Sequence, residues 1–145
     1  MIPWGSRWAG VLVLALGCLG CSSEERLHPV SGKVMYKSQP LAGALVTLHP
    51  QGSNDPRTER PNGFTQKDGT FTLTTGQKAG APAGQYLVTI ICSRSTQPAG
   101  KGKIINTGED DSVDVLGGMY ANPNTSKITV EIRPGNNILP PIELQ

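Results

Sequence analysis

Beyond residue 29 the apolar side chains fall on alternate positions, as half-buried strands require, and no stretch repeats with a period of 3.6. Val30, Gly32, Val34 and Tyr36 share one face of a first predicted strand, with Ser31, Lys33 and Met35 on the other. Lys37-Ser38-Gln39-Pro40 reads as a turn, after which Ala44, Val46 and Leu48 alternate with Leu45, Thr47 and His49. Residues 50–62 are polar and rich in Pro and Gly, a long loop. Phe64 and Thr65 begin a short strand that Asp68-Gly69 is expected to turn back, as a hairpin, into residues 70–74. Glycine there tolerates the positive φ of a tight turn. A second turn at 80–84 leads to the most strand-like run, on which Tyr86, Val88, Ile90 and Cys92 share a face, so Cys92 is expected to be buried. Residues 93–114 are polar and aperiodic, a loop of the length that usually carries function. Ile128, Val130 and Ile132 alternate in a late strand; Pro134-Gly135-Asn136-Asn137 turns; and residues 138–144 form another strand that Pro140-Pro141 confine to a sheet edge. About six to eight short strands separated by regular turns, with no helical segment, predict an all-β antiparallel sandwich.

The first 23 residues follow another pattern. Arg7 precedes the apolar run Trp8-Ala-Gly-Val-Leu-Val-Leu-Ala-Leu-Gly-Cys-Leu-Gly20, and Cys21 is followed by Ser22-Ser23-Glu24-Glu25. The run is of signal-peptide length and shorter than the roughly 20 residues that span a bilayer. Gly20-Cys21 resembles the lipobox of bacterial lipoproteins, in which a small residue precedes a cysteine that receives a diacylglycerol thioether before cleavage. Cys21 is the expected lipidation site; Gly17-Cys18, preceded by Ala15-Leu16, is the rival, and a simple secreted or membrane-retained form is the third option. The resemblance implies a signal peptide over 1–20, a polar tether over 21–27 and one domain over 28–145. Acylation with two or three chains, palmitate among them, would make attachment long-lived, since each buried CH₂ contributes about 0.8 kcal/mol.

Composition narrows the function classes. Removing Arg7 with the signal leaves 12 Lys+Arg against 11 Asp+Glu, a near-neutral balance with no electrostatic footprint for nucleic acid. Both tryptophans fall in the signal, and Cys92 would have no partner once Cys21 is acylated, so a disulfide framework is not expected. If Cys18 carried the lipid, a Cys21–Cys92 bridge would become conceivable.

A family resemblance covers about 60 residues. Val30-Ser-Gly-Lys-Val-Met-Tyr with Pro40-Leu-Ala-Gly-Ala-Leu-Val46, then Thr65-Gln-Lys-Asp-Gly-Thr-Phe71, then Gly80-Ala-Pro-Ala-Gly-Gln-Tyr-Leu-Val-Thr-Ile90, resemble in order the signatures of carboxypeptidase regulatory-like domains. Tyr120-Ala-Asn-Pro-Asn-Thr-Ser126 and Thr129-Val-Glu-Ile-Arg-Pro-Gly-Asn136 are similar to the ending of small bacterial lipoproteins of this kind. The resemblance implies a Greek-key β-sandwich of about seven strands, transthyretin-like or immunoglobulin-like, without catalysis. Ser38 stands where that pattern commonly has glycine, implying a different turn type, and Gln66 replaces a frequent aspartate.

Chemical candidates are few. His28, near the tether, and His49, at a strand end, read as isolated surface histidines without a third metal ligand at standard spacing. Cys92 reads as an inert small hydrophobe. Gly100-Lys101-Gly102-Lys103 lacks the spacing of a phosphate loop. The acidic cluster holding Asp110, Asp111 and Asp114 offers weak calcium candidates but lacks the EF-hand alternation. Asn124-Thr125-Ser126 matches a glycosylation acceptor by accident in a bacterial-type chain. Of the aromatics Tyr36, Phe64, Phe71, Tyr86 and Tyr120, most fall on predicted core faces and Tyr120 alone stands near a loop. The expected function is a lipid-anchored, non-catalytic module of the cell envelope, facing periplasm or exterior, with no cofactor and no catalytic residue. It would bind protein or glycan, or act as a spacer, through the loops at 50–63 and 93–114. A carbohydrate-recognition accessory domain is the first alternative; Tyr120 would be its platform, although that residue reads first as the anchor of the Asn-Pro turn. An enzyme with a site assembled from loop Asp, Glu and Lys is the second.

Overall fold

A computed structural model of the chain describes Met1 and residues 25–53, 55–95 and 112–145. In chain order the strands are β1 (Leu27–His28), β2 (Val30–Tyr36), β3 (Gln39–Pro40), β4 (Leu45–Pro50), β5 (Asn62–Phe64), β6 (Thr70–Thr72), β7 (Thr74–Thr75) and β8 (Lys78–Ala79). They continue as β9 (Ala81–Pro82), β10 (Gly84–Ile91), β11 (Ser93–Ser95) and β12 (Ser112–Asp114). A one-turn helix α1 (Pro123–Ser126) then precedes β13 (Ile128–Ile132), β14 (Asn137–Ile138) and β15 (Ile142–Leu144).

Two layers result. The larger sheet runs β13-β10-β4-β5-β7-β8, antiparallel throughout. The smaller is built on β2. Ser31 pairs with both Thr72 of β6 and Ile138 of β14, and Met35 with both Pro40 of β3 and Glu143 of β15. A strand has only two edges, so β6 and β3 lie on one side of β2 and β14 and β15 on the other. The expected all-β sandwich is present, with one addition: β14 and β15 run parallel to β2. Pro140-Pro141 divide the last predicted strand into these two pieces, since proline supplies no N–H to a ladder.

The period-two faces meet in the core as the sequence pattern requires. Val46 and Leu48 of β4 and Tyr86, Val88 and Ile90 of β10 are buried from one layer, Val30, Val34, Phe71, Ile142 and Leu144 from the other. Full burial of each aliphatic side chain is worth about 1.5–3 kcal/mol. Gly32 leaves the slot that Phe71 fills, because a Cβ there would stand 2.6 Å from Phe71 Cζ. Tyr86 Oη donates to the Pro82 carbonyl at 2.8 Å, a tyrosine corner of the kind found in sandwich folds.

Two turns differ from expectation. The Asp68-Gly69 turn is closed by Gln66 N donating to the Thr70 carbonyl at 2.7 Å but does not continue as a hairpin ladder: β5 pairs with β4 and β7 in the larger sheet, whereas β6 pairs with β2 in the smaller. The turn instead carries the chain across the layers. Asp68 Oδ1 accepts from Thr70 N at 3.0 Å and Thr70 Oγ at 2.6 Å, and these bonds hold its carboxyl below the usual carboxylate range. At Lys37-Ser38 both residues are left-handed, with φ of 49° and 63°, between the paired Tyr36 and Gln39. That is the geometry of a two-residue type I′ loop, which favours glycine at its second position. Ser38→Gly is therefore expected to stabilise the fold by about 1 kcal/mol, a rise of several degrees in Tm by calorimetry. No gain would mean that the turn is relaxed with serine in place.

Candidate functional site

The strands' common axis gives the sandwich two ends. At one end β1 meets β9, Gly84 meets Ile132, and the loop after β4 begins. Glu25, Leu27, Thr58, Glu59, Thr75, Gln77 and Lys78 line a cleft of about 540 Å³ here. A second hollow of about 360 Å³ between Gln51, Ser53, Glu59 and the start of β10 shares Glu25, Thr58 and Glu59 with it. The Glu59 carboxylate lies over the β7–β8 turn, where a Cβ on Gly76 would stand 2.7 Å from Oε2. The site is open and mixed in polarity. Among the described residues no three His, Cys, Asp or Glu side chains are grouped to hold a metal.

At the other end β11 and β12 pair beyond β10. Asp114, one of the calcium candidates, has its oxygens engaged by backbone donors. Oδ1 accepts from Cys92 N and Leu116 N, each at 3.1 Å, and Oδ2 from Gly118 N at 2.9 Å. The carboxylate thereby ties the end of β10 to the turn after β12. Asp110 and Asp111 lie outside the described residues, as do both lipidation candidates, Cys21 and Cys18. Cys92 is buried as expected, its Sγ 3.7 Å from the Ala42 carbonyl. Burial pushes its thiol pKa up; Arg94 opposes the shift and Asp114 adds to it, so little thiolate is present at neutral pH.

Two sequence assignments are corrected, those of His28 and Phe64. His28 is a buried residue rather than a surface one: it sits in β1 and its Nδ1 accepts from Gly135 N at 3.0 Å. The partner is 107 positions away in sequence, so no local pattern revealed it. Tyr120 is a structural residue, in keeping with its first reading, and not an open platform. It is half-buried against the core, its carbonyl accepts from Ile90 N, and its hydroxyl accepts from Gln145 N at 3.3 Å. The exposed aromatic is Phe64, 66% accessible on the outer face of the larger sheet. The register sets it in a row with Leu45 and Ile91, beside a second row of Asn62, Thr47 and Thr89.

His49 occupies the same outer face, with Nε2 2.8 Å from Thr89 Oγ. Burial first and Arg60 second lower its pKa from the ordinary 6.5.

No protein-family model matches this chain, and no curated protein matches it. Among solved structures it is similar to a DUF3823 family protein from Parabacteroides merdae, at 21% identity and a TM-score of 0.41. The likeness covers 83% of this chain and 46% of that one, so the chain spans less than half the length of its structural neighbour.

Two outcomes follow from these side chains. Asp114→Ala strands three N–H groups and is expected to cost about 2–4 kcal/mol by denaturant unfolding. Asp114→Asn should fall between, and faster labelling of Cys92 by a thiol reagent should accompany the loss in both. For His49 the lowered folded pKa makes its contribution complete above pH 6.5 and lost as pH falls through the folded value. Tm measured across that window should drop less steeply in His49→Gln; parallel curves would show that His49 does not titrate differently on folding.

Proposed function

We propose that this chain is a lipid-anchored, non-catalytic β-sandwich of the bacterial cell envelope, serving as a binding or spacer module for protein or glycan. The observation that carries the reading is Gly20-Cys21 at the end of a signal-length apolar run, with the first strand beginning only six residues later at Leu27. Two further features support it. His28, Asp114 and Cys92, the side chains most suited to chemistry, are each bonded to backbone in ways that maintain the fold. The segments that resemble carboxypeptidase regulatory-like domains fall on β2 to β4, on the Asp68-Gly69 crossing and on β10, all of them scaffold positions.

Carbohydrate recognition is retained as a second reading because of Phe64. An exposed ring beside Leu45 and Ile91, next to Asn62 and Thr47, offers a sugar an apolar face and hydrogen-bonding neighbours; Thr89 of the same row is buried and bonded to His49. The platform in this reading is Phe64, and Tyr120 is released from it.

Mass spectrometry of the mature N-terminus is expected to give a diacylated peptide starting at Cys21, and Cys21→Ser should move the protein from membrane to soluble fraction. An unmodified Cys21 and Cys18 in a protein that needs no detergent would overturn the anchor. On glycan arrays, selective binding abolished by a folded Phe64→Ala would favour the sugar reading; an envelope protein captured equally by both forms would favour the protein partner.

A further inference from the structure

We propose that the end of the sandwich carrying β1, the β7–β8 turn and the β13–β14 turn faces the headgroup surface of the membrane, and that the β11–β12 end projects away from it. The proposal rests on the lipid anchor at Cys21 and adds an orientation to it. The point where the tether joins the body is fixed by three independent contacts. Leu27 and His28 pair with Pro82 and Ala81. His28 Nδ1 accepts from Gly135 N at 3.0 Å. Gly80, at φ 106°, lets the His28 backbone pass where a Cβ would stand 2.5 Å from its carbonyl oxygen. These contacts join β1 to β9 and to the turn after β13, so the segment does not peel away without breaking both.

Chain length then decides the geometry. Six residue steps separate Cys21 from Leu27, a reach of about 20 Å when fully extended. The seven residue steps of β10 run from the β1 end to the β11–β12 end, about 24 Å before any turn is added. An inverted body would raise β1 at least that far above the bilayer, beyond what the tether spans. The near end is also suited to a wet headgroup layer: its turns expose Gln77 and Asn136, and Arg26 and Arg57 as well as Glu25 and Glu59 are exposed beside them. Of the exposed large apolar side chains on the folded body, Phe64, Val113 and Met119 lie toward the far end and Ile138, opposite Ser31, toward the near end.

The test uses the full-length lipidated protein on vesicles whose headgroups carry an energy acceptor. Cysteines placed singly at Gln77→Cys and Asn136→Cys report the near end, and at Lys67→Cys and Met119→Cys the far end, all at exposed positions. Cys92 stays in place because it is buried. The near labels are expected to be quenched roughly threefold or more strongly than the far ones, given an offset of about 24 Å. Equal or reversed quenching in protein shown by mass spectrometry to carry lipid on Cys21 would overturn the orientation and leave the anchor standing. Protein without lipid at that cysteine would overturn both.

Discussion

The carbonyl of Thr72 stands where a side chain on Gly63 would have to be, and that approach fixes how the two layers join. Gly63 belongs to β5 in the larger sheet and Thr72 to β6 in the smaller, so two backbones meet directly at the edge of the sandwich. Gly32 under the Phe71 ring and Gly80 against His28 repeat the device elsewhere. The need for it follows from composition. Only Phe71 and Tyr86 are large buried aromatics among the described residues; the rest of the core is Val, Leu, Ile, Ala and Cys. Small side chains fill a thin space, and native packing density is reached only when the sheets and their crossings come close. A methyl group at Gly63 would push backbone against backbone, which has no rotamer to relieve it.

What the sequence disclosed and what it hid divide along one physical line. Alternation reports which face of a strand is apolar, and that was legible: Val46 and Leu48, and Tyr86, Val88 and Ile90, point inward as the pattern requires. Alternation does not report the neighbouring strand. Asp68-Gly69 has hairpin chemistry, yet β5 and β6 part into different sheets, because β4 and β2 offer them longer partners than they offer each other. Phe64 failed for a second reason. In β5 and its extension the inward position is held by Thr65, buried at 5% and accepting from Ala44 N through its hydroxyl, while the outward position is the phenylalanine. Hydrophobicity and burial are inverted at adjacent residues. His28 and Asp114 were misjudged because their partners are backbone N–H groups, which no residue pattern marks.

The engagement of Asp114 bears on chemistry as well as on stability. A carboxylate that accepts three backbone N–H bonds has few lone pairs left to orient a water or a cation. Burial shifts the thiol of Cys92, next to it, toward the neutral form. The pair therefore lacks the arrangement of an activated nucleophile, in which a base lowers the barrier to deprotonation. Their adjacency is better understood as a clasp: the carboxylate collects the amides that the end of β10 and the following turn leave without ladder partners.

The sheet edges complete the account. A protein tethered to a surface, as proposed, meets its neighbours at high local density, where an unpaired strand edge invites pairing between chains. Three of the edges carry an obstacle. The β14–β15 edge is interrupted by Pro140-Pro141, which cannot donate to an incoming strand. At one side of the larger sheet β8 is only two residues long, and at the other β13 bears Glu131 paired to Arg133 at 2.8 Å. An exposed ion pair of this kind adds little to stability. Its consequence is the desolvation it would impose on a strand docking along β13. The prolines at one edge and the charges at the other thus act on the same competing state, leaving the ends and the outer face around Phe64 as the surfaces where a partner would meet side chains rather than open backbone.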